Sequence, residues 1–216
     1  MPTTASSACA LRSLRASRQP IAYDRKDSFH QRAKREGLRS RAAYKLQELQ
    51  AQHRLLRVGD RVADLGCWPG GWMQVAAGIV GPRGRVVGID LAETPTLGLE
   101  NAITLQGDLS QEGVDVQILE ALGGPADVVL SDAAPKLTGV RATDRAREEA
   151  LLEALEGVVP ELLRPGGIFV AKLLDAPEAQ AFVHRLRTRF ASTKVTKSHA
   201  TRKGSSEKYL IARDFH

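Results

Sequence analysis

The chain has 216 residues, enough for one α/β domain with short extensions, and 43% of them are apolar, enough to bury a core. Its formal charge of +6 suits a polyanionic partner such as RNA without dictating a fold. The two cysteines, Cys9 and Cys67, lack metal-ligand spacing and argue against a disulfide scaffold or a zinc site; a reducing cytoplasm is the simplest compartment. No stretch approaches the roughly 20 apolar residues of a membrane span.

Residues 1–23 carry Arg12, Arg15 and Arg18 and no acid before Asp24. They read as a mobile basic tail, with an organellar transit peptide, and so a mitochondrial location, as the alternative. Residues 24–216 read as one domain. Arg and Lys are dense over 24–57, where Ser40 is placed to cap a helix over 40–52 carrying Tyr44, Leu46 and Leu49. The pattern then predicts a strand over 61–65, a helix over 72–79 and strands over 85–89 and 102–106. A helix over 114–122, a strand over 126–130 and a long helix over 143–163 follow, the last stopped by Pro165-Gly166-Gly167. A strand over 168–173, a helix over 178–190 and strands over 193–197 and 208–212 complete the chain. This alternation predicts a Rossmann-like α/β domain: a mostly parallel, seven-stranded sheet with helices on both faces.

In such sheets ligands bind beyond the carboxyl ends of the strands, where the strand order reverses. The residues to weigh are therefore the loop 66–72, Asp90, Asp108, Asp132 and Lys172. The glycine-rich loop Gly66-Cys67-Trp68-Pro69-Gly70-Gly71-Trp72 follows the first strand, and Asp90 ends the second, where a carboxylate can accept both hydroxyls of a ribose. Asp108 follows the third strand and can receive the amino group of an adenine. The spacing is not G-x-G-x-x-G, so a pyrophosphate cradle is lacking and S-adenosylmethionine fits better than NAD. A plain tight turn with surface acids is the structural alternative. Trp72 is divided between packing and ligand contact, and Trp68 reads as packing.

Lys172 ends the apolar run Ile168-Phe169-Val170-Ala171, where a lysine is costly unless it pairs or works. Asp132 ends the neighbouring strand and can reach it. Lys45 sits among apolar residues of the first helix, and Glu207 precedes the final strand. For these two a structural ion pair is an equally good reading. A lysine amine can serve as a base, and carboxylates can hold one lysine or two in place.

These residues carry a resemblance. Gly37-Leu38-Arg39-Ser40-Arg41-Ala42-Ala43-Tyr44-Lys45-Leu46, Asp64-Leu65-Gly66 with Pro69-Gly70-Gly71-Trp72, Ser131-Asp132-Ala133-Ala134-Pro135, Pro165-Gly166-Gly167 and Ser206-Glu207-Lys208-Tyr209 resemble the motifs of the FtsJ-type (RlmE-type) 2′-O-methyltransferases of large-subunit ribosomal RNA. The resemblance runs from about Arg25 to Arg213. It implies a catalytic Lys-Asp-Lys-Glu tetrad of Lys45, Asp132, Lys172 and Glu207, with Lys172 accepting the proton. It implies cofactor contacts at Gly70, Trp72, Asp90, Asp108 and Asp132, with S-adenosyl-L-methionine as cofactor and no metal. The implied substrate is a uridine 2′-hydroxyl in the A-loop of 23S rRNA within the large ribosomal subunit. The enzyme is expected to act as a monomer without a membrane. Cys67-Trp68 stands where the family has two small residues, which predicts a bulkier wall on that side of the pocket.

Two basic arms flank the tetrad in sequence: Arg32, Lys34, Arg35, Arg39 and Arg41 before Lys45, and Arg185, Arg187, Arg189, Lys194, Lys197, Arg202 and Lys203 before Glu207. Arms of this kind neutralise phosphates without reading bases. The alternatives are the same chemistry on tRNA or an organellar rRNA, and a non-catalytic ribosome-assembly factor. A nucleotide-dependent oxidoreductase would need the absent phosphate-binding glycine motif.

Overall fold

Five short apolar runs form a parallel array in the computed structural model, which describes residues 28–135, 138–201 and 207–216. The predicted tail at 1–23, and Arg202 and Lys203 of the second arm, lie outside these residues. The strands are β1 (Arg61–Leu65), β2 (Arg85–Asp90), β3 (Ala102–Gln106), β4 (Ala126–Ser131) and β5 (Leu163–Leu173). Strands β6 (Phe190–Thr196) and β7 (Lys208–Phe215) close the sheet, whose order is β3-β2-β1-β4-β5-β7-β6. Only β7 runs against its neighbours, pairing antiparallel with both β5 and β6. The near-continuous burial of β1, β2 and β4 is that of parallel strands covered on both faces.

The cover comes from six helices among the described residues: α1 (Ser28–Arg35), α2 (Ala42–His53), α3 (Gly71–Val80), α4 (Val114–Leu122), α5 (Arg141–Leu162) and α6 (Pro177–Leu186). Alternate residues of each strand feed two cores. Ala63, Leu65, Val129 and Phe169 pack with α4, α5 and α6. Val62, Val128, Leu130 and Val170 pack with α2 and α3. The strand order reverses beside β1, which lies between β2 and β4. This is the crevice in which open α/β sheets bind ligands.

Three local expectations change. Ser40 does not cap α2: the helix starts at Ala42, no side chain caps it, and the buried Ser40 Oγ has no hydrogen-bond partner. It lies against Gly71 instead, where an added Cβ would collide with Ser40 Oγ. Strand β5 begins at Leu163, directly after α5, rather than at 168. Leu163 pairs with Ala126 and Ile168 with Val128, so the exposed Arg164-Pro165-Gly166 bulges out between two paired segments. Helix α6 ends at Leu186 rather than 190, and Phe190 begins β6 because its ring is needed in the core.

Candidate active site

The carboxyl ends of β1, β2, β3, β4 and β5 carry Asp64, Asp90, Asp108, Asp132 and Lys172 along one edge of the sheet. The four tetrad residues meet there. Asp132 Oδ1 lies 3.3 Å from Lys172 Nζ and 3.9 Å from Lys45 Nζ. Lys45 Nζ donates to Glu207 Oε2 at 2.9 Å, and Lys172 Nζ also donates to the backbone carbonyl of Asp132. Both lysine side chains are nearly buried, at 6% exposure for Lys45 and 9% for Lys172, so neither is an ordinary surface ion pair.

Each member is held by its element. Lys172 faces Tyr209 across the β5–β7 pairing, and the Tyr209 hydroxyl donates to Asp132 Oδ1 at 3.0 Å. Burial pushes the Tyr209 phenol far above its usual range, with the charges of Asp132 and Glu207 adding to the effect; it is a permanent donor. Burial pushes Glu207 up, but the hydrogen bond and charge of Lys45, followed by Lys172 and Arg41, bring it below the usual carboxylate range. One turn beyond Lys45 on α2, Glu48 receives the Ser198 hydroxyl and the backbone N–H groups of His199 and Ala200. That anchors the chain on its way to Glu207. On the other side, Glu148 of α5 accepts the Leu174 N–H at 3.0 Å and fixes the chain just after Lys172.

The cofactor loop is shaped by contacts that only glycine permits. Gly66 has φ +80°, and a Cβ there would stand 2.5 Å from Ala133 Cβ. Gly70 has φ +100° and starts α3. These conformations are strained for any residue with a side chain. Asp90 pins the loop to β2: its Oδ2 accepts the Trp68 N–H at 3.0 Å and its Oδ1 the Ala92 N–H at 2.9 Å. Each oxygen keeps acceptor capacity for a hydroxyl. Asp108 Oδ1 accepts the N–H and hydroxyl of Ser110, which hold it below the usual carboxylate range.

Asp64, which sequence reasoning passed over, is the most unusual group of the edge. It is fully buried, and its carboxylate makes no hydrogen bond of good geometry, the Met73 N–H giving it only weak support. Burial pushes its pKa well above the usual range, and the charges of Asp132 and Asp90 push it further. On the same edge, Asp90 and Asp108 keep their carboxylates as acceptors beside the loops. That fits a cationic nucleoside such as S-adenosylmethionine, with its sulfonium and ammonium groups. The sequence holds a signal for it: an acid inside Arg-Val-Ala-Asp-Leu is as anomalous as Lys172 at the end of its own apolar strand.

Of its two expected readings the Trp72 side chain takes packing, whereas Trp68 departs from its own. The Trp72 indole is buried, donates to the Ala42 carbonyl at 2.8 Å and packs 5.9 Å from the Tyr209 ring. Its side chain ties α3 to α2, leaving the backbone of Trp72 as the part at the loop. Trp68 is 58% exposed rather than packed. Cys67 turns into the core beneath Gly88 and Met73, where burial and then the charge of Asp64 push its thiol up to about 12. Its bulk is thus taken up by the core. Tyr209 also escapes a reading of the sequence, because its contact with Asp132 depends on the pairing of β5 with β7.

Fold and site together define a group-transfer enzyme for a cationic nucleoside cofactor. The family described as FtsJ-like methyltransferase matches residues 38–215. Ribosomal RNA large subunit methyltransferase E of Syntrophobacter fumaroxidans is 43% identical over 191 residues, covering 88% of this chain and 96% of that protein. The protein of the same name from Rhizorhabdus wittichii is 46% identical, covering 88% and 81%. The solved structure of a ribosomal RNA methyltransferase from Plasmodium falciparum matches with a TM-score of 0.71 at 26% identity, covering 82% of this chain and 98% of that one. The chain belongs to the FtsJ-like methyltransferase family, and S-adenosylmethionine is its methyl donor.

Proposed function

We propose that the chain methylates a ribose 2′-hydroxyl of large-subunit ribosomal RNA, a uridine in the A-loop of 23S rRNA, acting as a cytoplasmic monomer. The observation that supports this most is the pair of nearly buried lysines sharing Asp132 Oδ1 beside the acidic cofactor edge. Relatives bearing the large-subunit name in bacteria and archaea support the choice of RNA.

S-adenosylmethionine supplies a methyl group already activated on a sulfonium. The protein has to align the ribose oxygen with that methyl and accept the hydroxyl proton. Asp90 would hold the cofactor ribose and Asp108 the adenine amino group, with Gly70 and the backbone of Trp72 beside them. Lys172 Nζ, fixed by the carboxylate and the carbonyl of Asp132, takes the 2′-hydroxyl proton as the oxygen–carbon bond forms. Lys45, fixed by Glu207, directs the hydroxyl toward the methyl. Tyr209 holds the Asp132 carboxylate in place while the proton moves.

The test is transfer of labelled methyl to undermethylated large subunits, with mass spectrometry of ribosomal RNA from cells with and without the protein. A ribose methyl missing from the A-loop of 23S rRNA when the protein is absent is the expected result. A missing base methyl, or a loss confined to tRNA, would overturn the assignment.

A further inference from the structure

Arg39 belongs in sequence to the first basic arm, where phosphate contact is the natural expectation. Its guanidinium is bonded to backbone carbonyls of two neighbouring loops instead. Nη1 donates to the carbonyls of Pro95 at 2.5 Å and Pro69 at 3.4 Å, and Nη2 donates to the carbonyl of Thr96. Its backbone N–H donates to Gln74 Oε1 at 3.1 Å, while Gln74 Nε2 returns to the Gly37 carbonyl at 2.9 Å. The side chain also fills the space over Gly70, where an added Cβ would meet Arg39 Cδ at 3.2 Å and Leu97 Cδ1 at 3.4 Å.

The acceptors belong to two loops. Pro69 lies in the loop after β1, and Pro95 and Thr96 lie in the loop after β2, five and six residues beyond Asp90. Other polar contacts hold the first loop to β2 and the start of the second loop: the Gly66 and Cys67 N–H groups to the Ile89 carbonyl at 2.8 and 3.1 Å, Trp68 N–H to Asp90, and Cys67 Sγ to Thr94 Oγ1 at 3.5 Å; Arg39 carries the tie on to Pro95 and Thr96. A planar guanidinium can serve three carbonyls from two chain segments at once, whereas an ammonium on a flexible stem is a single point charge. The cavity of about 210 Å³ flanking α3, which Arg39 lines with Gln74 and Asn101, offers no competing use. Asn101 Nδ2 is spent on the carbonyls of Ala77 and Gly81.

We propose that Arg39 is a positioning residue for the methyl donor: it clamps the loop after β1 to the loop after β2 and so sets the opening in which Asp90 receives the cofactor ribose. This rests on the reading of Asp90 given above. Because Arg39 lies just ahead of α2, the clamp also ties the helix carrying Lys45 to the cofactor side of the site.

Calorimetry with S-adenosylmethionine, salt-titrated RNA binding and methyl-transfer kinetics on Arg39→Ala, Arg39→Lys and Asp90→Ala test it. Both Arg39 variants are expected to weaken cofactor binding roughly ten- to a hundredfold, the scale of a small misplacement at a reacting site. They should raise KM for the cofactor more than they lower turnover at saturating cofactor, with the salt slope of RNA binding unchanged. A reduced salt slope with parent-like cofactor affinity would make Arg39 a phosphate contact and overturn the proposal, as would parent-like cofactor affinity in Arg39→Lys. If Asp90→Ala weakens the cofactor and Arg39→Ala does not, the clamp alone fails. If Asp90→Ala binds the cofactor as the parent does, the reading of Asp90 fails first. Should Arg39→Ala not fold, Arg39→Lys, which keeps the charge and most of the stem, carries the same comparison.

Discussion

A ribose hydroxyl is a weak acid, so its proton has to leave as the oxygen–carbon bond forms; in the proposed mechanism Lys172 Nζ, which Asp132 fixes through its carboxylate and carbonyl, accepts it. General-base help of this kind is worth about 10²–10⁴-fold. Lys172→Ala is expected to keep cofactor affinity and lose at least about that factor in single-turnover transfer. Lys172→Arg is expected to fail as well, because a guanidinium stays protonated; transfer at the parent rate would reduce Lys172 to a charge that positions substrate. Asp64 gives a pH-dependent expectation. Its folded pKa is raised above the unfolded value, so the fold favours the neutral form. That contribution is fully present below about pH 3.9 and is lost as pH rises from there through the folded pKa. Asp64→Asn, which mimics the neutral form, is therefore expected to match the parent in acid and to melt higher near neutrality, by about 2–4 °C per kcal/mol recovered. A variant melting no higher than the parent across pH 4–8 would remove the burial argument. At this scale the sequence is most legible where a polar residue breaks an apolar pattern, as at Lys172 and Asp132. It is silent on Tyr209, whose hydroxyl meets Asp132 only because β5 and β7 pair in one register.

Elements are legible wherever strand or helix burial follows a single period. The bounds of β1, β3 and α4 are those read from the sequence, and each is closed by glycine or by a polar turn. The ends that moved are those settled by tertiary contacts: Leu163 is drawn into the sheet by Ala126, and Phe190 by the core. The same kind of contact fixes the crevice, since β1 and β4 meet beyond their strand ends where Gly66 touches Ala133. Gly66→Ala would place its Cβ 2.5 Å from Ala133 Cβ and 2.9 Å from Ala133 Cα, in a backbone with φ +80°. Backbone cannot yield as a side chain can, so the strand ends must part and carry Asp132 away from the loop. A loss of about 1–3 kcal/mol in stability is expected, together with loss of methyl transfer. Ala133→Gly in the same chain removes the Cβ contact but not the strain, so it should restore part of the stability and show the two sites coupled in a double-mutant cycle. Additive losses would mean that the two residues do not meet as described.

Seen as a whole, the molecule exposes basic residues on α1 and along β6. Helix α1 exposes Lys34 and Arg35, while Arg32 is partly engaged, paired with Glu36 at 2.7 Å and lying over the Tyr44 ring. Elsewhere, the edge of β6 carries Lys194 and leads to Lys197 at the end level with Tyr209, both exposed, while the exposed Arg187 and Arg189 precede β6 at the opposite end of the sheet. Lysines on an edge strand also prevent unwanted pairing with other sheets, so their exposure alone does not assign them to RNA. Salt dependence separates the two uses. Each phosphate that the protein no longer neutralises lowers the slope of log affinity against log salt by about 0.7–0.9, depending on whether the RNA is single- or double-stranded. Replacing Arg32, Lys34 and Arg35 together by Ala is expected to weaken RNA binding and flatten that slope by about 1.5–2.5, short of three full phosphates because Glu36 already claims part of the Arg32 charge. Replacing Lys194 and Lys197 together is expected to flatten it too, since these charges lie toward the end of β6 that is level with Tyr209 and Lys172, where the proposed ribose is brought. A slope changed by the first set and untouched by the second would leave the β6 charges to guarding the sheet edge and confine the RNA path to the α1 side.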